Sequence, residues 1–169
     1  ISAGPTHSIA IKNDGTLWSW GRNVEGQFGN GNNVNSLLPI QVGLSNDWKQ
    51  ALAGEYHTFA LKNNGTIYSS GHGYYGALGN ASTSGQINLT QIGNQNDWES
   101  IGVGKYNSLA IKSNKTLWIT GYNFYGMLGD GTTLQQNSFQ QVGADSNWEF
   151  ATIGEYHTLG LKLDGNVST

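Results

Sequence analysis

Between Tyr56 and Lys62 the chain alternates, Tyr-His-Thr-Phe-Ala-Leu-Lys, and then breaks at Asn63-Asn64-Gly65. A second alternating run follows at once, Thr66-Ile67-Tyr68-Ser69-Ser70. Period-two patterning places side chains on opposite faces of an extended strand, and Asn-Gly between two such runs predicts a β-hairpin. The same runs surround Asn13-Asp14-Gly15, with Thr16-Leu17-Trp18-Ser19-Trp20 as the return strand. A third copy returns as Thr116-Leu117-Trp118-Ile119-Thr120. Each turn is expected to be type I′, with positive φ at both central residues. The third copy has Lys115 where the others carry glycine, so Asn114 is expected in the left-handed conformation, with some strain at Lys115. Weaker strands near 38–42 and 48–53 complete a four-stranded unit.

The unit repeats. Gly4, Gly54, Gly104 and Gly154 fall 50 residues apart, as do Lys12, Lys62, Lys112 and Lys162. Trp48, Trp98 and Trp148 keep the same step, and so do Gln41, Gln91 and Gln141. No insertion interrupts the register, so the 169 residues form one segment, 1–169, with repeats at about 1–37 (partial), 38–87, 88–137 and 138–169 (partial). Four short strands per repeat without helices indicate an all-β chain of β-propeller blades, each of four antiparallel strands. Trp18, Trp118, Trp48, Trp98 and Trp148 recur inside strands and are expected in the core.

From Gly54 to Gly79 the chain reads GEYHTFALKNNGTIYSSGHGYYGALG. This resembles the repeat of the regulator of chromosome condensation, over the whole chain. Kelch repeats also run to about 50 residues, but their double glycine is absent. The resemblance implies rings of seven blades, of which this chain holds about half. The expectation is therefore either a segment of a longer protein or two copies that complete a ring by self-association. Proteins similar to this act as exchange factors for a small GTPase, ligase-associated scaffolds, a plant UV photoreceptor and a bacterial inhibitor of β-lactamases. The photoreceptor's tryptophan-rich loop is absent, since the loops here read Gly54-Glu55-Tyr56-His57-Thr58 and Gly104-Lys105-Tyr106-Asn107-Ser108. The unbroken register leaves no room for the exchange factor's protruding wedge. The resemblance thus implies a protein-binding scaffold first. A guanine-nucleotide exchange factor and a structural or adhesive surface array are the alternatives.

Composition narrows the partners. Charged residues make up 11% of the chain, while 19 asparagines match all the Lys, Arg, Asp and Glu together. The formal net charge is -3 with no basic cluster, which disfavours nucleic acid, whose binding rests on phosphate neutralisation. No apolar run is long enough to span a membrane as a helix. Low charge and abundant asparagine lean towards a secreted or cell-surface setting. There is no cysteine, so neither disulfide nor thiolate chemistry enters.

Candidate chemistry is sparse. His7, His57 and His157 share a repeat position with Asn107. Equivalent positions on adjacent blades lie about 10 Å or more apart, too far for shared zinc, where Zn–N is about 2.0–2.1 Å. These residues are expected to brace local backbone at a strand start. Gly71-His72-Gly73-Tyr74-Tyr75-Gly76 matches the dinucleotide fingerprint in letters, but no helix pattern follows. Its middle glycine alternates with Asn23 and Asn123, as a left-handed backbone position would select. The acidic residues are dispersed, against the several oxygens that calcium needs. No catalytic residue, metal or cofactor is expected. Asn64, Asn80, Asn88, Asn114 and Asn166 begin N-x-Ser/Thr triplets, several of them in turns, and carry no function here.

Hairpin geometry locates a surface. A strand that enters at Gly54 and returns at Gly71 has its entry and exit loops on one rim and its turn on the other. The shared rim collects Tyr56, Tyr74, Tyr75, Tyr106, Tyr122, Phe124, Tyr125 and Tyr156, with Glu25, Glu55 and Glu155 as acids. Loops on a rigid scaffold carry binding residues, and tyrosine offers large contact area at low entropic cost. These eleven residues are the expected partner-binding set.

Overall fold

The computed structural model describes residues 1–168, which form four antiparallel sheets in chain order. The first holds β1 (Ser2–Ala3), β2 (His7–Ile11), β3 (Leu17–Gly21) and β4 (Ser36–Gln41). The second holds β5 (Trp48–Ala53), β6 (His57–Lys62), β7 (Ile67–Gly71) and β8 (Gln86–Gln91). The third holds β9 (Trp98–Val103), β10 (Asn107–Lys112), β11 (Leu117–Gly121) and β12 (Gln136–Gln141). The fourth has three strands, β13 (Trp148–Ile153), β14 (Thr158–Lys162) and β15 (Val167–Ser168). Strands pair only with their chain neighbours, and the four blades make an open arc of a β-propeller. The second, third and fourth sheets begin at Trp48, Trp98 and Trp148, so positions 38, 88 and 138 fall inside the outer strand of the preceding sheet.

The hairpin turns differ from type I′. Gly15 N donates to Lys12 O at 2.9 Å, and Lys12 N to Thr16 O at 2.9 Å. Of the central residues only the last is left-handed: Gly15 at φ 80°, Gly65 at 79°, Lys115 at 64°. This is a type I turn closed by a left-handed residue. The preceding residue stays out of that region because its side chain is in use. Asp14 Oδ1 accepts from Thr16 N at 3.0 Å and from Thr16 Oγ1 at 2.6 Å, and Asn64 and Asn114 repeat the pair with Thr66 and Thr116. The left-handed residue of the third copy is therefore Lys115 and not Asn114.

Packing is concentrated at the joints between sheets. Ile9, Leu17 and Val42 meet Trp48, Ala53 and Ala60 at the first joint. Phe59, Leu61, Ile67 and Ile92 meet Trp98, Ile101 and Ala110 at the second. Leu109, Ile111, Leu117, Ile119 and Leu128 meet Trp148 and Ala151 at the third. Each buried Val, Leu, Ile or Phe among these contributes about 1.5–3 kcal/mol relative to exposure. Trp48, Trp98 and Trp148 are buried, but Trp18 and Trp118 are only half-buried, against the expectation from their place in strands. Their indoles lie under lysines instead, Lys12 Nζ 3.4 Å from the Trp18 ring and Lys112 Nζ 4.9 Å from Trp118.

That contact explains the repeating lysine. Lys62, Lys112 and Lys162 lie 5.0, 4.8 and 5.0 Å over Trp48, Trp98 and Trp148. Each also pairs with a carboxylate, Asp47 at 2.9 Å, Asp97 at 3.2 Å and Asp145 at 2.7 Å. An ammonium held between a ring face and a carboxylate packs the edge of a joint while staying charged.

The repeating histidine also acts between sheets rather than on local backbone. His7 Nε2 lies 2.9 Å from Thr58 Oγ1 and His57 Nε2 lies 2.9 Å from Ser108 Oγ, each one blade further on. Burial pushes the His7 imidazole down to about 4 and the His57 imidazole down to about 3, so both are neutral. Asn107 stays within its sheet, donating to Tyr122 O at 2.6 Å.

Candidate partner-binding rim

Two loops of each of the first three sheets are tied together on one rim. Arg22 N donates to Thr6 O at 2.9 Å, His72 N to Tyr56 O at 2.9 Å, and Tyr122 N to Tyr106 O at 3.1 Å. Gly71 makes this possible: its φ is 102°, and a Cβ there would sit 2.4 Å from Tyr56 O.

The longer loop is built around asparagine. Asn123 is fully buried, and its amide donates to Asp130 Oδ1, Thr132 O and Leu134 O at 3.0–3.1 Å. Its Oδ1 accepts from Leu128 N at 3.0 Å. Asn23 does the same, donating to Asn32 O at 2.8 Å and accepting from Phe28 N at 2.8 Å. The exchange with Gly73 therefore does not reflect a left-handed backbone, since Gly73 has φ -97° and neither asparagine has positive φ. In the second repeat the loop has moved into the vacated volume, and a Cβ on Gly73 would lie 2.2 Å from Ser84 O. There the short 3-10 turn Tyr74–Gly76 holds Tyr75 at φ 58°, a conformation that costs a bulky residue on the order of 1–3 kcal/mol.

All eight aromatics expected on this rim join one continuous strip. Tyr56 stacks on Tyr106 at 5.7 Å, and Tyr75 lies edge-on to Tyr106 at 5.2 Å and 4.8 Å from Tyr122. Tyr122 leads to Phe124 and Tyr125, both at 6.4 Å, and Tyr125 meets Tyr156 edge-on at 5.6 Å. Tyr74 joins through Tyr75 at 6.2 Å. Tyr74, Tyr75, Phe124, Tyr125 and Tyr156 are exposed, while Tyr56, Tyr106 and Tyr122 form a half-buried floor. The edge-to-face pair Tyr75–Tyr106 recurs one repeat later as Tyr125–Tyr156.

The acids are arranged by cations that sequence reasoning passed over. Lys105 lies 3.5 Å from Glu55 and 3.2 Å from Glu155, and the pairing raises its pKa. Glu155 is lowered by hydrogen bonding to Tyr156 and by Lys105. The Glu55 carboxylate pushes the Tyr56 phenol up to about 12. Glu25 is committed to a two-pronged pair with Arg22, one prong measuring 2.7 Å. His72 completes the strip, its ring centroid 3.4 Å from that of Tyr74 and its Nδ1 accepting from Tyr74 N at 3.2 Å. Lys105 could have been found in the sequence as the one basic residue at a repeat position where Glu55 and Glu155 are acidic. Among the described residues no three His, Asp or Glu side chains converge as metal ligands would.

The regulator of chromosome condensation (RCC1) repeat family matches the chain over residues 14–61 and again over residues 51–77. Over residues 14–77 the chain is built from RCC1 repeats. It is 45% identical to the ultraviolet-B receptor UVR8 of Arabidopsis thaliana over 49 residues, which is 29% of this chain and 11% of that receptor. Among solved structures it is similar to human WBSCR16, with a TM-score of 0.85 at 22% identity, over 97% of this chain and 44% of that one. Prp20p of Saccharomyces cerevisiae gives 0.82 at 21% identity, over 95% of this chain and 43% of that one. These RCC1-type propellers share the fold, and this chain spans less than half the length of each.

Proposed function

We propose that this RCC1-repeat chain is a protein-binding scaffold whose contact surface is the aromatic rim. The observation that carries this reading is the strip itself: eight linked rings, five exposed, on loops fixed by backbone hydrogen bonds and buried asparagines. Large rigid aromatics on a preformed surface bind with little loss of side-chain entropy. The solved Prp20p structure is described with binding properties to Gsp1p and histones, which supports protein partners for this architecture. The test compares retention of partners from a native lysate by the chain, by Tyr75→Ala/Tyr125→Ala on the strip, and by Lys12→Ala on the opposite rim. Loss confined to the strip variant supports the reading, and equal retention by all three removes it. An exchange-factor role is the second reading. It requires tight binding to a nucleotide-free small GTPase and accelerated nucleotide release.

A further inference from the structure

The joint between the second and third sheets opens outward into a cleft of about 360 Å³. It is walled by the loop after β7, by the turn from β8 to β9, and by β11 and β12, so intact sheets flank it on both sides. Small-molecule sites run from about 300 to 1,000 Å³. Trp118 and Phe139 supply the apolar lining, and Asn80, Gln91, Gln95 and Ser138 the polar lining. Among the described residues no charged side chain lines it. Phe139 is fixed from behind, stacked on Phe59 at 5.7 Å and 5.5 Å from Trp98. The Trp118 indole donates Nε1 to Thr116 Oγ1 at 2.9 Å, so it offers the cleft ring surface and no donor.

The polar side chains have capacity to spare. At the first joint the place of Gln95 belongs to Ser45, whose Oγ accepts from Lys62 Nζ at 3.0 Å. Gln95 is exposed, and its amide has no hydrogen-bond partner among the described residues. Asn30 and Asp130, the counterparts of Asn80, accept from the buried Asn23 and Asn123 at 3.4 and 3.1 Å. Gly73 stands in that place in the second repeat, so Asn80 Oδ1 takes only Ser82 N at 3.1 Å and leaves its NH2 for a ligand. Ser138 Oγ accepts from Gln140 Nε2 at 3.2 Å and keeps its own proton to donate. Ala81 forms the lip in a left-handed conformation, φ 60°, where Gly31 and Gly131 have φ 85° and 78°. A residue with a Cβ is rarely held there, and such outliers gather at binding sites.

We propose that this cleft binds a neutral sugar in its pyranose form. Sugar hydroxyls both donate and accept, and a carboxamide answers both needs with one side chain. The C–H face of a pyranose packs on aromatic rings, whose faces carry partial negative charge. A charged ligand would lose its hydration here with no opposite charge in the lining to offset the loss. Lys112 does not change this, because its ammonium is held 4.9 Å from the Trp118 ring and 3.2 Å from the Asp97 carboxylate. The site shares no residue with the aromatic rim and does not rest on the reading of that rim.

The test is saturation-transfer NMR of the chain with methyl β-glucopyranoside, methyl β-galactopyranoside, methyl α-mannopyranoside and cellobiose. Glucuronate, choline and glycerol serve as anionic, cationic and small-polyol comparisons. At least one neutral sugar is expected to saturate, with a dissociation constant on the order of millimolar for so small a ligand. Gln95→Ala, at an exposed position, is expected to weaken that sugar about threefold. Trp118→Leu is expected to weaken it about tenfold, whereas Tyr125→Ala on the rim leaves it unchanged. Circular dichroism checks that each variant keeps its sheets, and if Trp118→Leu does not, Gln95→Ala alone decides. Saturation by none of the neutral sugars overturns the proposal. So does equal binding of any comparison compound, or sugar binding that Gln95→Ala leaves unaltered.

Discussion

His57 reaches out of its own sheet and sets Nε2 2.9 Å from Ser108 Oγ in the next one. The imidazole is fully buried, and burial pushes it down to about 3, so it holds the joint only as the neutral base. His7 repeats the arrangement with Thr58, pushed down to about 4. In the unfolded chain both take up protons near pH 6.5. Between that value and their folded values the unfolded state binds more protons, so stability declines as pH falls through this window. At pH 5 the loss is roughly 2 kcal/mol for each buried imidazole. Urea unfolding at pH 7 and pH 5 measures it. His57→Asn, which adopts the residue found at position 107, is expected to lose only about half as much between the two values as the parent does.

Gly65 and Lys115 occupy one repeat position at φ 79° and 64°, but their surroundings differ. A Cβ on Gly65 would lie 2.1 Å from Asn96 O, whereas Lys115 is accommodated and pairs with Glu99 at 2.6 Å. Gly65→Ala is expected to destabilise by roughly 2 kcal/mol, combining left-handed strain with displacement of the neighbouring backbone. Lys115→Ala is expected to stay within about 0.5 kcal/mol, because a half-exposed pair contributes little. Thermal denaturation of the two variants side by side decides it.

Asn123 joins four backbone and side-chain groups of one loop from a fully buried position. Asn123→Ala leaves those groups without partners and is expected to cost roughly 2–3 kcal/mol. Limited proteolysis should then cut between 130 and 135 in the variant before it cuts the parent.

The Glu55 carboxylate beside the Tyr56 phenol opposes its ionisation and holds it at about 12. Ultraviolet titration of the phenolates should therefore show a late-ionising tyrosine. Glu55→Gln removes the negative charge, so that tyrosine should ionise earlier, towards the ordinary value near 10. An unchanged titration curve would mean that the two groups do not interact in solution.

Much of the fold was legible because its determinants are local. Asn-Asp-Gly between alternating runs marks a hairpin wherever it occurs, and the unbroken step of 50 residues shows that one unit is used repeatedly. The loop membership of Tyr75, Tyr106 and Tyr125 followed from strand direction alone. Contacts that pass between blades were not legible. Nothing near His57 in the chain announces Ser108, so a histidine that braces a joint reads as one that braces its own strand. The turn type was misjudged because Asp14 and Asn64 have two possible uses, a left-handed backbone or a side-chain acceptor, and the threonine two residues later selects the second. Asn23 and Gly73 misled in the same way, since a small residue there reflects a repacked loop and not a backbone requirement.

The lysine over each tryptophan belongs to a wider accounting of positive charge. The chain has eight lysines and arginines, and every one is engaged within the molecule. Lys12 lies over Trp18, Lys49 donates to Glu99 O, and Arg22, Lys62, Lys105, Lys112, Lys115 and Lys162 each hold a carboxylate. A polyanion approaching this surface meets no idle cation, and at six of the eight a phosphate must displace an acid already in place. The attraction that draws most charged partners together over long range is thereby spent inside the fold. A partner on the proposed aromatic rim would then be selected at contact, by shape and by the faces of the rings.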